Sequence, residues 1–227
     1  MLKYFTALCL SLLVTGCATT GREFDRTAPG KIEPGVTTRE EVIRLLGPTT
    51  DENIVTLKKD AQEKDLSSPV VVQRVNYYYY NRYDKDSDSD KLGQPNRHAN
   101  INIANNTVVY YRTASSFKSD NSDFDPSVAS RFKKGETTQT DVRAALGEPT
   151  GRGIYPYAAS PMGTAWVYTA RLWNVPAGSN TFKDLAIYFD QNGKMEDLTV
   201  SAETKVIQDE TAAARPVFIP IYLPAKR

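Results

Sequence analysis

Apolar residues along the chain follow a helical spacing in two short stretches and a strand-like spacing in longer ones. Val42, Leu45 and Leu46 are spaced as on one face of a helix, and the same spacing returns one hundred residues later. Runs rich in β-branched and aromatic residues follow each helical stretch and predict antiparallel strands. The predicted strands are 70–83, 99–104 and 107–113 in the first half and 164–174, 184–190 and 194–202 in the second.

The two helical stretches belong to an internal repeat. Residues 34–47 align without a gap to residues 134–147. Self-similarity at a fixed distance indicates that one supersecondary unit occurs twice. The matching positions, which we call the repeat signature, include Gly35, Thr38, Val42, Leu46 and Gly47 in the first copy and Gly135, Thr138, Val142, Leu146 and Gly147 in the second.

Each repeat signature predicts a short capped helix. Thr38 with Glu41 has the spacing of a capping box, and Thr138 with Asp141 has a weaker version of it. A glycine stands where each helix should end in a residue of positive φ, and a proline follows closely, so the helix must stop there.

These elements predict an α+β fold class built from two tandem repeats. Each repeat would have one or two short helices packed on one face of a three-stranded antiparallel sheet. The predicted repeats are 32–118 and 124–206, followed by an extended, Pro-rich tail at 207–227. The tail would either pack on its own domain or be donated as a strand to a partner.

The N-terminus predicts a targeting segment. A charged start at Lys3 precedes an apolar run from Tyr4 to Val14, and small residues then lead to Cys17. A membrane-spanning helix needs about 20 apolar residues, so this run is too short to be one. Residues 1–16 are therefore interpreted as a signal peptide.

The residues Val14-Thr15-Gly16-Cys17 resemble a bacterial lipobox. The resemblance implies that Cys17 becomes the first mature residue and carries fatty acids such as palmitate, with 17–31 as a tether to the membrane. Ala18 occupies the position where an aspartate would resemble an inner-membrane retention mark, so the outer membrane, facing the periplasm, is favoured. Cys9 would leave with the signal peptide, and no cysteine would remain for a disulfide or a metal.

The duplicated repeat signature, the strand meanders and the lipobox together resemble the BamE/SmpA-like outer-membrane lipoprotein family, with tandem domains related to the β-lactamase inhibitor protein-like fold. The resemblance covers about 170 of the 227 residues. It implies a non-enzymatic, protein-binding scaffold in envelope or outer-membrane protein assembly, with envelope proteins as partners. The alternative is a periplasmic inhibitor or ligand-sequestering module that binds an enzyme or cell-wall component through its sheet face.

Charge and composition exclude some other function classes. Lys and Arg number 28 against 27 Asp and Glu, so no excess of cations is available to bind a nucleic-acid backbone. The chain has one histidine, His98, next to Arg97, and this pattern predicts a surface histidine in a loop. We therefore expect no enzyme activity, no catalytic residues, no cofactor, no metal and no small-molecule substrate.

Aromatic residues are the candidates for partner contact. Residues 77–80 are four consecutive tyrosines, and alternation along a strand would place two rings on each side of the sheet. Those rings would either stack across strands in ordinary burial or form a contact surface. The possible partner-binding residues are Tyr78, Tyr80, Tyr155, Tyr157, Trp166 and Trp173.

Two further segments leave alternatives open. Residues 51–69 and 151–163 differ most between the repeats and would be either partner-contact loops or passive connectors. Four aspartates alternate with other residues from Asp84 to Asp90, which suggests a calcium loop. The sharp-turn glycine position of such a loop holds Ser89 and its bidentate glutamate position holds Pro95, so a solvated hairpin loop is favoured.

Overall fold

The computed structural model describes residues 19–25, 27–81, 96–117, 120, 123–174 and 179–206. Strands dominate this part of the chain. The helical segments are the 3-10 helices Ala28–Lys31 and Pro126–Arg131 and the α-helices α1 (Arg39–Leu46) and α2 (Gln139–Leu146). The strands are β1 (Thr19–Gly21), β2 (Asp51–Lys59), β3 (Asp65–Asn81), β4 (Asn96–Ala104), β5 (Thr107–Ser115), β6 (Gly151–Ile154), β7 (Thr164–Asn174), β8 (Ser179–Phe189) and β9 (Met195–Val206).

Both capping boxes expected from the sequence are confirmed. The Thr38 hydroxyl accepts from the Glu41 backbone N–H, and the Glu41 carboxylate accepts from the Thr38 N–H at 2.8 Å. Thr138 and Asp141 make the same pair of bonds at α2. Because each box satisfies two backbone donors that have no partner within the helix, helices of only eight residues have a fixed start.

The two helices also end in the same way. Gly47 follows α1 with φ 86° and Gly147 follows α2 with φ 77°, a region that costs glycine little. The hydroxyl of Tyr77 donates to the Gly47 carbonyl at 3.1 Å, and that of Tyr168 donates to the Gly147 carbonyl at 2.9 Å. Each helix end is therefore bound to the strand beneath it.

The strands form one sheet, which contradicts the predicted fold class. Every pairing is antiparallel, and the nine strands have the order β1-β3-β4-β5-β6-β7-β8-β9, with β2 also paired to β3. The prediction of two separate three-stranded sheets was wrong. The two halves share one sheet because of β6, a strand that the sequence analysis had left in a loop. It pairs with β5 on one side and with β7 on the other.

Glycines allow β6 to lie between its two neighbours. In the register, Gly151 is opposite Arg112 and Gly153 is opposite Tyr110. A Cβ atom at Gly151 would lie 2.4 Å from the carbonyl oxygen of Tyr111, and one at Gly153 would lie 2.9 Å from the Tyr110 ring. The close backbone contact between the halves therefore needs residues without side chains at these two positions.

Strand β2 was the other strand missed inside a predicted loop. It occupies residues 51–59 of the segment interpreted as a charged connector, and it pairs with β3 over nearly its whole length. It begins at Asp51, one hundred residues before β6 begins at Gly151. The first divergent segment therefore contains β2 and the first residues of β3, joined by a turn at 60–64, and the second contains β6 followed by a connection at 155–163.

The helices cover one face of the sheet. Val42 and Leu46 of α1 are at most 3% exposed and lie over the first half of the sheet, and Val142 of α2 lies over the second. The sheet residues buried beneath them are Val75, Tyr77, Ala99, Ile101, Ile103, Val108 and Tyr111 in the first half and Trp166, Tyr168, Ala170, Leu185, Ile187 and Phe189 in the second. The opposite face, which we call the helix-free face, has its own smaller clusters.

The N-terminal segment packs against the first half of the sheet. Thr20 of β1 pairs with Tyr80, and Phe24 and Ile32 are at most 5% exposed in the core under α1. The Phe24 carbonyl accepts from Arg97, whose guanidinium also makes a two-bond ion pair with Asp120. Much of the segment predicted as a tether thus contributes to the folded body.

We expect Gly151→Val to destabilise the protein by about 1 to 3 kcal/mol, because the added side chain would force β6 away from β5. Gly30→Ala is the matched control, since a Cβ there meets nothing within 4 Å and its φ is not positive. The free energy of unfolding, measured in urea, checks both variants. Equal values for the two would contradict the role assigned to β6.

Candidate binding groove

A groove lies on the helix-free face of the sheet. Because Val75 and Ile101 point beneath the helices, their strand neighbours Arg74, Asn100 and Asn102 point to the other side. The groove has a volume of about 380 Å³. This volume is within the range of roughly 300–1,000 Å³ found for small-ligand pockets.

The tip of the β2–β3 hairpin reaches over this face to the far side of the sheet. Gln62 Nε2 in the hairpin turn donates to Asp197 Oδ2 of β9 at 3.0 Å. The Ala61 N–H donates to the Pro156 carbonyl at 2.9 Å, so the turn also meets the segment after β6. The hairpin tip and that segment therefore form walls of the groove.

Three guanidinium groups lie along the groove on alternate strands. Arg74 belongs to β3, Arg112 to β5 and Arg171 to β7. Arg74 Nε donates to Asn102 Oδ1 at 3.3 Å, and Arg112 Nη1 pairs with Asp184 Oδ1 at 3.2 Å. The first two arginines thus have polar partners within the groove.

Arg171 differs from the other two. Among the described residues its guanidinium makes no hydrogen bond and no ion pair, and it lies over the Phe182 ring with 5.7 Å to the ring centre. Burial lowers the pKa of Arg171, and the positive charge of Arg112 lowers that pKa further. Arginine is not deprotonated in proteins, so Arg171 keeps its positive charge despite this shift.

Tyrosines form the apolar wall beside the arginines. The rings of Tyr110 and Tyr157 stack with centroids 4.6 Å apart, and the Tyr157 hydroxyl accepts from Asn102 Nδ2 at 2.8 Å. Burial raises the pKa of Tyr157 above its ordinary value, so the hydroxyl stays protonated. Tyr157, one of the residues proposed from the sequence, therefore lines the groove.

His98 is not the surface loop residue expected from the sequence. It lies in β4, half-buried, with its Nε2 3.3 Å from the Tyr80 hydroxyl and the two rings at 88°. Burial lowers the pKa of His98 to about 4, and the positive charges of Arg171 and Arg112 add to this effect. The imidazole is therefore neutral at pH 7.

The other aromatic candidates lie in different places. Tyr78 and Tyr80 share the helix-free face, with ring centroids 5.7 Å apart, and Tyr155 is half-buried in the segment after β6. Trp166 lies on the opposite face and is 5% exposed, so its side chain belongs to the core. Trp173 is in β7, and its side chain lies outside the described residues.

The buried Trp166 ring lies within a cluster of charged side chains near α2. Guanidinium groups of Arg143 and Arg152 lie 5.1 Å and 5.6 Å from the Trp166 ring centre. Glu148 pairs with both arginines at 2.9 Å. Such cation–π contacts stabilise the packing of the ring against α2 and β6.

Sequence reasoning missed the three arginines of the groove. Each stands in a strand whose next residue, Val75, Thr113 or Leu172, is apolar or β-branched. A cation at an alternating strand position was the available signal, because such a side chain must lie on a solvated or ligand-binding face.

Several candidates lie outside the described residues. These are Cys17, the Asp84–Asp90 loop and the tail at 207–227. Within the described ranges, His, Cys, Asp and Glu side chains do not gather in threes as a metal site would require. In the same ranges no helix is both long enough and apolar enough to cross a bilayer.

The chain matches no protein-family model and no curated protein sequence. One solved structure with a similar chain path is a protein from Streptococcus mutans that is provisionally described as a β-lactamase inhibitor protein. The identity is 14% and the TM-score 0.40, over 78% of this chain and 94% of that chain. A likeness this weak carries no argument about function, and the BamE/SmpA-like family stays a prediction.

The buried His98 should make stability depend on pH. Its pKa is about 4 when folded against 6.5 when exposed, so between these values the unfolded chain binds more protons. The free energy of unfolding should therefore fall as the pH drops through this window, with about 2 to 3 kcal/mol attributable to His98 near pH 4.5.

His98→Gln should remove this part of the dependence. Urea unfolding of both proteins at pH 7 and pH 4.5 measures it, because the carboxylates titrate alike in the two. Parallel losses of stability in the native protein and the variant would contradict the depressed pKa of His98.

Proposed function

We propose that this protein is a non-enzymatic lipoprotein of the outer membrane, facing the periplasm, that acts as a protein-binding scaffold in envelope or outer-membrane protein assembly. The observation that carries the proposal is the groove on the helix-free face, lined by arginines and tyrosines. Arginine and tyrosine are enriched in the parts of protein interfaces that contribute most binding free energy.

The lipid anchor expected at Cys17 supports the proposal through effective concentration. Each buried methylene group contributes about 0.8 kcal/mol to membrane binding, so two or more acyl chains give stable attachment. A protein held at the membrane surface meets membrane-embedded partners at a much higher local concentration than a free one. Weak contacts in a small groove are then sufficient for function.

The alternative is a periplasmic inhibitor or ligand-sequestering module that uses the same face. The identity of the partner distinguishes the two. A scaffold should contact proteins embedded in or attached to the outer membrane, whereas an inhibitor should contact one soluble enzyme or a cell-wall component.

We expect Cys17→Ser to abolish lipid attachment. In Gram-negative cells grown with radiolabelled palmitate, the native protein and a Cys9→Ser control should be labelled and found with the outer membrane. The Cys17→Ser variant should be unlabelled and absent from that fraction. Labelling of this variant would contradict the lipobox interpretation.

A photoreactive amino acid should identify the contact face in intact cells. Placed at Ser201, which lines the groove, it should crosslink to outer-membrane proteins. Placed at Ile54, which is 76% exposed outside the groove, it should not. Equal crosslinking from both positions, or crosslinks to a soluble enzyme alone, would contradict the proposed scaffold.

A further inference from the structure

Arg171 is a charged group that makes no ion pair among the described residues, although the Asp184 carboxylate lies close enough to favour its charge. Its guanidinium offers five N–H donors, and among the described residues none of them has an acceptor. Burial of an unpaired charge is unfavourable for folding. The donors are therefore available to an acceptor that enters the groove.

The Asp184 carboxylate favours the charge of Arg171 but makes no hydrogen bond or ion pair with it. Asp184 is engaged with Arg112 at 3.2 Å and accepts from the Thr169 hydroxyl at 3.0 Å. Arg112 and Arg171 are close enough that each repels the other's charge. An anion bound beside both groups would relieve this repulsion.

Charges in the groove are balanced in number but separated in position. The lining holds four cations, Lys59, Arg74, Arg112 and Arg171, and four anions, Asp60, Glu63, Asp184 and Glu203. Asp184 of β8 is the exception, since it lies among the arginines and pairs with Arg112. The arginines lie on β3, β5 and β7, whereas Asp60 and Glu63 lie in the hairpin turn and Glu203 on the edge strand β9. This arrangement favours a ligand that has one negative charge at its centre and positive groups near the rim of the groove. It disfavours a doubly charged phosphate.

Apolar surface adjoins the arginines. The Phe182 ring lies beside Arg171, and Leu57, Val167 and the stacked Tyr110 and Tyr157 rings continue the lining. A residue next to the anion would therefore be apolar or aromatic. A free inorganic anion would leave this surface uncovered, whereas a peptide segment would bury it.

We propose that the groove binds a protein segment through one Asp or Glu side chain, whose carboxylate pairs with Arg171 beside Arg112, with an apolar neighbour against Phe182. This inference rests on the proposed protein-binding function and names the chemistry of the partner. Arginine suits the role because its planar fork donates two parallel bonds to a carboxylate.

The test uses the full-length protein in detergent, labelled with ¹⁵N-arginine, and records the arginine Nε–H signals by NMR. One probe is a blocked pentapeptide with Phe-Asp-Lys at its centre, and its matched control has Asn in place of Asp. The Asp peptide should shift the Arg171 and Arg112 signals in a saturable way. The Asn peptide should bind at least tenfold more weakly.

Arg171→Gln should weaken binding of the Asp peptide at least tenfold, whereas Arg131→Gln, at an exposed arginine outside the groove, should leave it within twofold. Because Arg171 has no hydrogen bond or ion pair among the described residues, Arg171→Gln should not lower the urea unfolding midpoint. A large loss of stability would mean that the arginine is structural and would overturn the proposal.

Other occupants give different results. Tighter binding of inorganic phosphate than of the Asp peptide, or arginine shifts that grow with protein concentration alone, would also overturn it. The proposed scaffold function fails separately: if the Asp peptide binds as expected but crosslinking in cells finds no envelope protein, the site stands and the scaffold role does not.

Discussion

Three pairs of backbone residues join β5 to β6, and the architecture depends on them. The first half of the chain ends its sheet with β5 and the second begins with β6, so without this pairing each sheet would have an open edge there. Unpaired edges are liable to join other chains. The glycines at 151 and 153 permit the approach, because a side chain at either position would meet β5 at less than 3.0 Å. Glycine at these two positions therefore allows the two halves of the chain to form one sheet instead of two.

The groove follows from that continuity. Arg74 and Arg112 come from the first half and Arg171 from the second, and only a shared sheet places them on one face. The helix side is filled by the two larger cores, so binding surface is available chiefly on the face that the helices leave open. His98 and Tyr80 extend the polar part of this face, with the imidazole kept neutral by burial and by the arginines.

Local signals in the sequence predicted local structure well. The capping boxes at Thr38 and Thr138 and the glycine helix ends were found where the spacing placed them, because these motifs are complete within a few residues. Strands β2 and β6 were missed for the opposite reason. The segment 51–59 has charged residues at four of its nine positions, on both sides of the short, mostly apolar run 54–57, and 151–154 contains two glycines, so their extended state depends on the strands beside them. The arginine groove was not predicted either. Arg74 and Arg171 are almost one hundred residues apart in the sequence, and only the strand order of the sheet places them on the same face.

The hydrogen bond between the Gln62 and Asp197 side chains links two distant parts of the sheet. Neighbouring strands rotate by roughly 20–25° relative to each other, and over many strands this rotation would splay the ends of an open sheet. The hairpin tip ties the first part of the sheet to its last strand across 135 residues of sequence. Together with the backbone hydrogen bond from Ala61 to Pro156, this contact holds the hairpin tip over the helix-free face, and we expect the cleft to widen when both contacts are lost.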